Sequence, residues 1–450
     1  MQLDLEIDAL APGGEGVGHA GGRTIFVPFT APGDRVVAGV PATGDVVHGE
    51  LVSLRQPGAA RVTPACRHFG PGGDRCGGCE WQHASQAAQL AAKASSVREA
   101  LRKIGRLDAD ACGWRPPIPS PQPLRYRSRA RFHLDRREGR LVFFQRRSHQ
   151  PVPVADCHLL THGLEELRRS LGPAIVAAQL SPGLVALEWS DHDRRGAVQL
   201  VLAAPPGKEQ RRRAEALLRA VPALAGVVLS AEGAPPTQVG DPVLRHQRVP
   251  GEPAAGLASS RPDIFQQANR PANARLVELA LELLQPDGEK VLELFSGSGN
   301  FTGPLAARAA SLAAVEVQGP ALELARADLA GTGTRFYAGD ALKLALALAR
   351  ERPPGGAGFS RVLLDPPRQG ARGIGPALTA LGAVRVVYVS CDPATLARDL
   401  RGCVEAGYRV EAVQPLDLFP QTHHVETIAL LTAPPRHEPA PPAAPPAAGG

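Results

Sequence analysis

The residues best suited to chemistry gather late in the chain. Cys391 stands in Tyr388-Val389-Ser390-Cys391-Asp392-Pro393, shortly after Leu364-Asp365-Pro366-Pro367-Arg368, and both follow a glycine-rich turn, Leu294-Phe295-Ser296-Gly297-Ser298-Gly299-Asn300. A strand-end thiol on the sheet that carries an adenosine-binding turn suits a covalent nucleophile beside a nucleotide cofactor. An apolar strand ending in Ser-Cys-Asp-Pro and opening a helix sets the thiol near the helix's positive end, where its pKa is expected to fall. A thiolate adding at carbon 6 of a pyrimidine pushes charge into an enolate and makes carbon 5 nucleophilic. Carbon 5 must later lose its proton, and Glu426, in Phe419-Pro420-Gln421-Thr422-His423-His424-Val425-Glu426, is the candidate base. His423 and His424 read as substrate contacts or structural groups, because no third ligand lies at metal spacing.

In Val291-Leu292-Glu293-Leu294-Phe295-Ser296-Gly297-Ser298-Gly299-Asn300, an apolar strand ends in two glycines that let the backbone pass close to a ligand before a helix starts near Phe301. Glu316 ends the next strand about 20 residues on, where a carboxylate can accept from both ribose hydroxyls. There is no Gly-Lys-Ser/Thr, and the third glycine of the dinucleotide fingerprint is missing, so S-adenosylmethionine outranks a nicotinamide or a nucleoside triphosphate. Asp340, after Phe336-Tyr337-Ala338-Gly339, reads equally as a group facing the adenine or as a helix N-cap.

The elements that must position these residues form a regular alternation from Lys290 onward, the pattern of an α/β doubly wound sheet. Residues 1–57 alternate short apolar runs with Gly and Pro turns, as a small β-barrel does. Residues 58–260 read as a central α+β domain, and 261–433 as the catalytic domain. From Ala84 to Leu107, Leu90, Ala94, Val97, Leu101 and Ile104 recur at helical spacing and predict an amphipathic helix. Pro116 to Pro123 reads as a linker, and the Pro/Ala-rich residues 434–450 as a disordered tail.

With 450 residues, 44% of them apolar, the chain can bury several cores, and a formal charge of +6 fits a polyanionic partner. No apolar run is long enough to cross a bilayer and the first residues are acidic, which reads as a cytoplasmic protein without membrane association. Arg125, Arg127, Arg129 and Arg131 alternate, so an extended strand would project all four from one face toward a phosphate backbone. Of seven cysteines, Cys66, Cys76 and Cys79 lie in one loop and Cys157 far downstream, enough for a four-thiolate site holding iron-sulfur or zinc. Cys112 and Cys403 read as ordinary buried thiols.

These pieces, together with Phe265-Gln266-Gln267-Ala268-Asn269, closely resemble the RNA uracil-5-methyltransferase family, which uses S-adenosylmethionine. The resemblance implies a class I methyltransferase domain with Cys391 as nucleophile and Glu426 as base. It also implies cofactor contacts from Gln267, Phe295, Asn300, Glu316, Asp340 and Asp365. Arg368 follows the prolines where cytosine-5 enzymes have a second cysteine, which favours uracil. Cys76-Gly77-Gly78-Cys79-Glu80-Trp81-Gln82-His83 resembles the motif of large-subunit rRNA members that carry a [4Fe-4S] cluster, although the gap from Cys66 to Cys76 is longer than theirs. Leu10 to Gly18 and Phe26-Val27-Pro28 resemble the TRAM domain, an RNA-binding barrel of the OB type. Together these imply methylation of a uridine in 23S rRNA, with no obligate protein partner. The alternatives are the same chemistry on tRNA, or a non-catalytic RNA-binding or ribosome-assembly factor.

Overall fold

The computed structural model describes residues 1–248, 256–351 and 358–433. The expected tail, 434–450, lies outside the described residues.

Six strands come first: β1 (Gln2–Leu10), β2 (Gly16–Ala20), β3 (Arg23–Val27), β4 (Arg35–Gly39), β5 (Val46–His48) and β6 (Glu50–Gln56). Their order, β5-β3-β2-β1-β4-β6, puts β5 and β6 on opposite edges, although Gly49 alone joins them. The sheet must therefore curl until its edges approach, as a small barrel does. A Cβ on Gly49 would come within 2.9 Å of the Val40 side chain, so only glycine fits this junction. Leu5, Ile7, Ile25, Val27 and Val36 fill the interior.

Helix α1 (Gln86–Ala100) continues as a π-turn, Leu101–Gly105, and stops at Arg106 in the left-handed region. Its inward face departs from the expected apolar stripe. Gln89 and Lys93, one turn apart, are buried, whereas Ile104 is exposed. Both polar groups reach into the catalytic domain: Gln89 accepts from the Gln421 amide at 2.9 Å, and Lys93 donates to the Phe419 carbonyl at 3.0 Å.

The expected linker is a docked segment. The Arg115 amide donates to the Val413 carbonyl and the Ile118 amide to that of Pro415, each at 2.9 Å, which runs this stretch parallel to a catalytic strand. Its prolines suit an edge position, where a missing N–H goes unfelt.

The central domain contains β7 (Arg129–Asp135), β8 (Arg140–Phe144), β9 (Pro151–Val152), α2 (His162–Ala177), β10 (Leu184–Ser190), β11 (Arg195–Val201), α3 (Lys208–Ala220), β12 (Leu224–Ser230) and β13 (Thr237–Gly240). The strands form one sheet in the order β13-β12-β11-β10-β7-β8-β9. Helices α2 and α3 close its core with Leu164, Leu167, Leu171 and Leu217. A two-stranded ribbon, β14 (Leu244–Gln247) with β15 (Leu257–Ser260), follows.

The catalytic domain comprises α4 (Arg270–Leu284), β16 (Lys290–Leu294), α5 (Thr302–Ala306), β17 (Ser311–Glu316), α6 (Gly319–Asp328), β18 (Arg335–Ala338), α7 (Ala341–Arg350), β19 (Arg361–Leu364), α8 (Ile374–Leu381), β20 (Arg385–Ser390), α9 (Pro393–Glu405), β21 (Arg409–Leu416) and β22 (Glu426–Thr432). Its sheet order is β18-β17-β16-β19-β20-β22-β21. The first five of these strands are parallel, and β22 runs antiparallel between β20 and β21. This is the doubly wound α/β architecture the alternation predicts, and its ligand crevice lies at the carboxyl ends of β16, β17, β19 and β20.

Candidate active site and cysteine cluster

Strand register assembles the site. Leu294 pairs with Leu364 and Leu364 with Tyr388, so Phe295 and Asp365 leave the sheet at adjacent strand ends. Ser390 of β20 pairs antiparallel with Thr427 of β22. Cys391 and Glu426 are the next residues beyond that pair, and the Glu426 carboxylate acts on the Cys391 thiol. Asp392 caps α9, its carboxylate accepting from the Thr395 amide at 2.8 Å, which fixes the turn that carries the thiol.

The electrostatics differ from the sequence expectation. Burial pushes the Cys391 thiol up to about 11, the Glu426 and Asp365 carboxylates push the same way, and Arg368 pulls against them. A helix terminus contributes about 0.3–2 kcal/mol, and here burial and like charge outweigh it. Burial raises Asp365 as well. Glu426 is 1% exposed, its Oε2 has no hydrogen-bond partner, and burial together with the Asp365 charge raises it well above the carboxylate range. Burial and like charge thus favour the protonated forms of both Cys391 and Glu426.

The turn after β16 has the room a ligand requires. Phe295 and Gly297 have positive φ of 62° and 55°, and a Cβ added to Gly297 would meet nothing within 4 Å. Glu316 accepts from the Gly297 amide at 2.8 Å and from the Gln318 amide at 2.7 Å, which holds its carboxylate at the rim of that space. Gln266 donates to Ser298 Oγ at 2.5 Å and so ties the Phe265–Asn269 motif to the turn. Phe265 itself is 70% exposed, and Gln267 is half-buried. Asn300 exchanges hydrogen bonds with Asn273 of α4 at 2.8 and 3.0 Å. Asp340 is the N-cap of α7, accepting from the Lys343 amide at 2.9 Å, one of its two sequence readings.

Glu293 is a residue that spacing did not single out. It is 1% exposed, and its pKa is pushed up to about 8, chiefly by burial and then by Asp365 and Glu316, with Thr302 pulling against them. The available signal was an acid inside the otherwise apolar strand Val291-Leu292-Glu293-Leu294.

The cysteines converge from two directions. The Gly77 amide donates to the Phe144 carbonyl at 2.9 Å, and a Cβ on Gly77 would lie 2.5 Å from the Arg146 nitrogen, so the loop is pressed onto β8. Cys66, Cys76, Cys79 and Cys157 then line one largely apolar cavity of about 80 Å³. Burial pushes the Cys76 thiol up to about 11 and raises Cys79 and Cys157 as well. Among the described residues, no three ligands are grouped so as to hold a metal ion. Cys112 and Cys403 are buried, as expected.

The arginine stripe is corrected by the structure. Arg125 has a positive φ of 56°, and β7 begins only at Arg129, so the four do not share one strand face. Arg125 pairs with Asp156, Arg129 donates to the carbonyls of Ile264 and Pro262, and Arg127 turns into the cysteine cavity. Arg131 alone of the four is exposed, and Arg136, Arg137, Arg140 and Arg147 are exposed further along the β7–β8 region.

A doubly wound sheet with an adenosine-type turn and a strand-end thiol defines an α/β methyltransferase. Residues 258–434 match the family described as tRNA (uracil-5-)-methyltransferase. A 23S rRNA (uracil(1939)-C(5))-methyltransferase of Pseudomonas putida is 34% identical, covering 95% of this chain and 93% of that protein. Its counterpart from Pseudomonas aeruginosa is 36% identical, covering 95% and 94%. In fold, the chain is similar to the Pyrococcus abyssi tRNA (uracil-54, C5)-methyltransferase solved with S-adenosyl-L-homocysteine, with a TM-score of 0.70, 23% identity and coverage of 96% and 100%. The chain belongs to the RNA uracil-5-methyltransferase family of S-adenosylmethionine-dependent enzymes.

Proposed function

We propose that this protein methylates carbon 5 of a uridine in 23S rRNA, in the cytoplasm, through a covalent bond from Cys391 Sγ to carbon 6. The observation that carries the reading is the β20–β22 register, which ends at Ser390 and Thr427 with Cys391 and Glu426 as the residues that follow, the Glu426 charge acting on the thiol. The open space at Gly297 and the rim carboxylate of Glu316 suit an adenosyl group, and its further contacts are assigned to Gln267, Phe295, Asn300, Asp340 and Asp365. When bound there, S-adenosylmethionine supplies an electrophilic methyl on sulfur.

The chain's own residues do the rest. The Cys391 thiol gives its proton to solvent and the thiolate adds to carbon 6, and the electron pair of the carbon 5–carbon 6 bond moves toward the carbon 4 oxygen. After carbon 5 has taken the methyl, the Glu426 carboxylate accepts the carbon 5 proton, the double bond re-forms and the thiolate leaves. The burial that raises the Glu426 pKa also makes its carboxylate a stronger base once ionised. The target base must leave its stack to reach the thiol.

The cysteine cavity supports a [4Fe-4S] cluster. Four thiols share its wall with Arg127, whose Nε is out of solvent and without a partner, and an anionic metal-thiolate group would balance that residue's charge. The curled N-terminal sheet, read as a TRAM barrel, and exposed Arg131, Arg136 and Arg137 would take the RNA backbone. Incubation with unmodified 23S rRNA, unmodified tRNA and labelled methyl donor tests the assignment. Label in 5-methyluridine of the 23S rRNA alone supports it, and label in tRNA alone rejects it.

A further inference from the structure

Three of the alternating arginines have ordinary surroundings. Arg125 pairs with Asp156 at 2.8 Å, Arg129 donates to backbone carbonyls at 2.6 and 3.0 Å, and Arg131 meets solvent. Arg127 differs. Its Nε is withdrawn from solvent without a hydrogen-bond partner, and the side chain forms part of the wall of the four-cysteine cavity. No carboxylate is paired with it among the described residues, and the acidic groups acting on its charge are the Tyr126 phenol and the Cys79 and Cys157 thiols. Phe69, Ala130, Phe143 and Val154 make much of the remaining wall apolar.

The Arg127 guanidinium is partly buried, its Cζ 5.9 Å from the centre of the Tyr126 ring; with Nε out of water it gains from a nearby anion, and protonated thiols carry no charge. Four thiolates around iron would provide it. We infer that Arg127 is the charge partner of the metal-thiolate group held by Cys66, Cys76, Cys79 and Cys157, retaining that group and setting its reduction potential. This inference rests on the cluster reading above. Reduction adds negative charge to the group, so a cation beside it favours the reduced form. Removing the cation must move the midpoint to more negative potential and loosen the iron. Lysine would restore the charge without the planar fork.

The test uses the full-length protein purified anaerobically as wild type, Arg127→Gln and Arg127→Lys. Iron and sulfide per chain are counted, iron release to a chelator is timed, and the midpoint is read from a dithionite titration followed by electron paramagnetic resonance. Wild type should carry iron. Arg127→Gln should release it about tenfold faster and titrate at more negative potential, with Arg127→Lys between the two. If Arg127→Gln does not fold, Arg127→Met supplies the uncharged variant, with the same negative shift and faster iron release expected. Iron-loaded variants with the wild-type midpoint and release rate would overturn the role of Arg127 while leaving the cluster in place. Iron-free wild type would instead overturn the cluster reading itself, and the role of Arg127 with it.

Discussion

Lys93 Nζ lies 2.5 Å from Asp417 Oδ1, and both side chains are shut away from solvent. The pair joins α1 to the segment that leads into Glu426. Burial lowers the Lys93 pKa and raises that of Asp417, and each charge offsets part of the other's loss. The Glu80 and Trp81 amides, both donating to the Gln421 carbonyl at 3.0 Å, fasten the same segment from the cysteine loop.

Lys93→Met leaves Asp417 without its cation in a dry site, which should cost about 3–5 kcal/mol of stability. Urea unfolding of Lys93→Met and of the Lys93→Met/Asp417→Asn double variant checks this. The double variant should recover part of the loss, and additive losses would contradict a direct pairing.

Glu426→Gln should keep adduct formation and lose proton removal from carbon 5. With natural RNA and methyl donor, it should accumulate a protein–RNA species and turn over at least about 100-fold more slowly. Normal turnover, or an absence of trapped RNA, would assign the base elsewhere.

The thiol sets a pH dependence. Cys391 is held at about 11, so its thiolate fraction, and its alkylation by iodoacetamide, should rise about tenfold per pH unit between pH 7 and 9. Asp365→Asn removes a charge that raises the thiol and should speed alkylation at pH 9. A plateau below pH 8 would mean that the thiol is not raised.

His83 is buried and its pKa is lowered to about 4, chiefly by burial. Its folded-state pKa lies below the unfolded value of 6.5, so its contribution is complete above pH 6.5 and is lost as pH falls toward 4. Between those limits wild type should lose about 3 kcal/mol more than His83→Phe in urea unfolding. Parallel pH profiles would refute this.

Much of this could be read along the chain, for reasons that particular residues show. The catalytic strands are apolar runs ending in Phe295, Glu316, Asp365 and Cys391, and in a doubly wound sheet strand ends are where ligands bind. The arginine stripe misled because alternation predicts one face only if the strand is continuous, and Arg125 takes a left-handed φ. The inward polar face of α1 and the docked Pro116–Pro123 stretch were hidden because their partners, Val413 through Gln421, lie some 300 residues away and share no local pattern with them. The acidity of Cys391 was misjudged for the same reason, since a helix terminus is local and the burying carboxylates are not.

The most direct test incubates the protein and the methyl donor with 23S rRNA carrying 5-fluorouridine, then maps protein–RNA crosslinks by mass spectrometry. Fluorine cannot leave carbon 5 as a proton does, so a stable, methylated adduct on the peptide containing Cys391 is predicted. A methyl group recovered on an amine or ribose oxygen, or an adduct that survives Cys391→Ala, would contradict it.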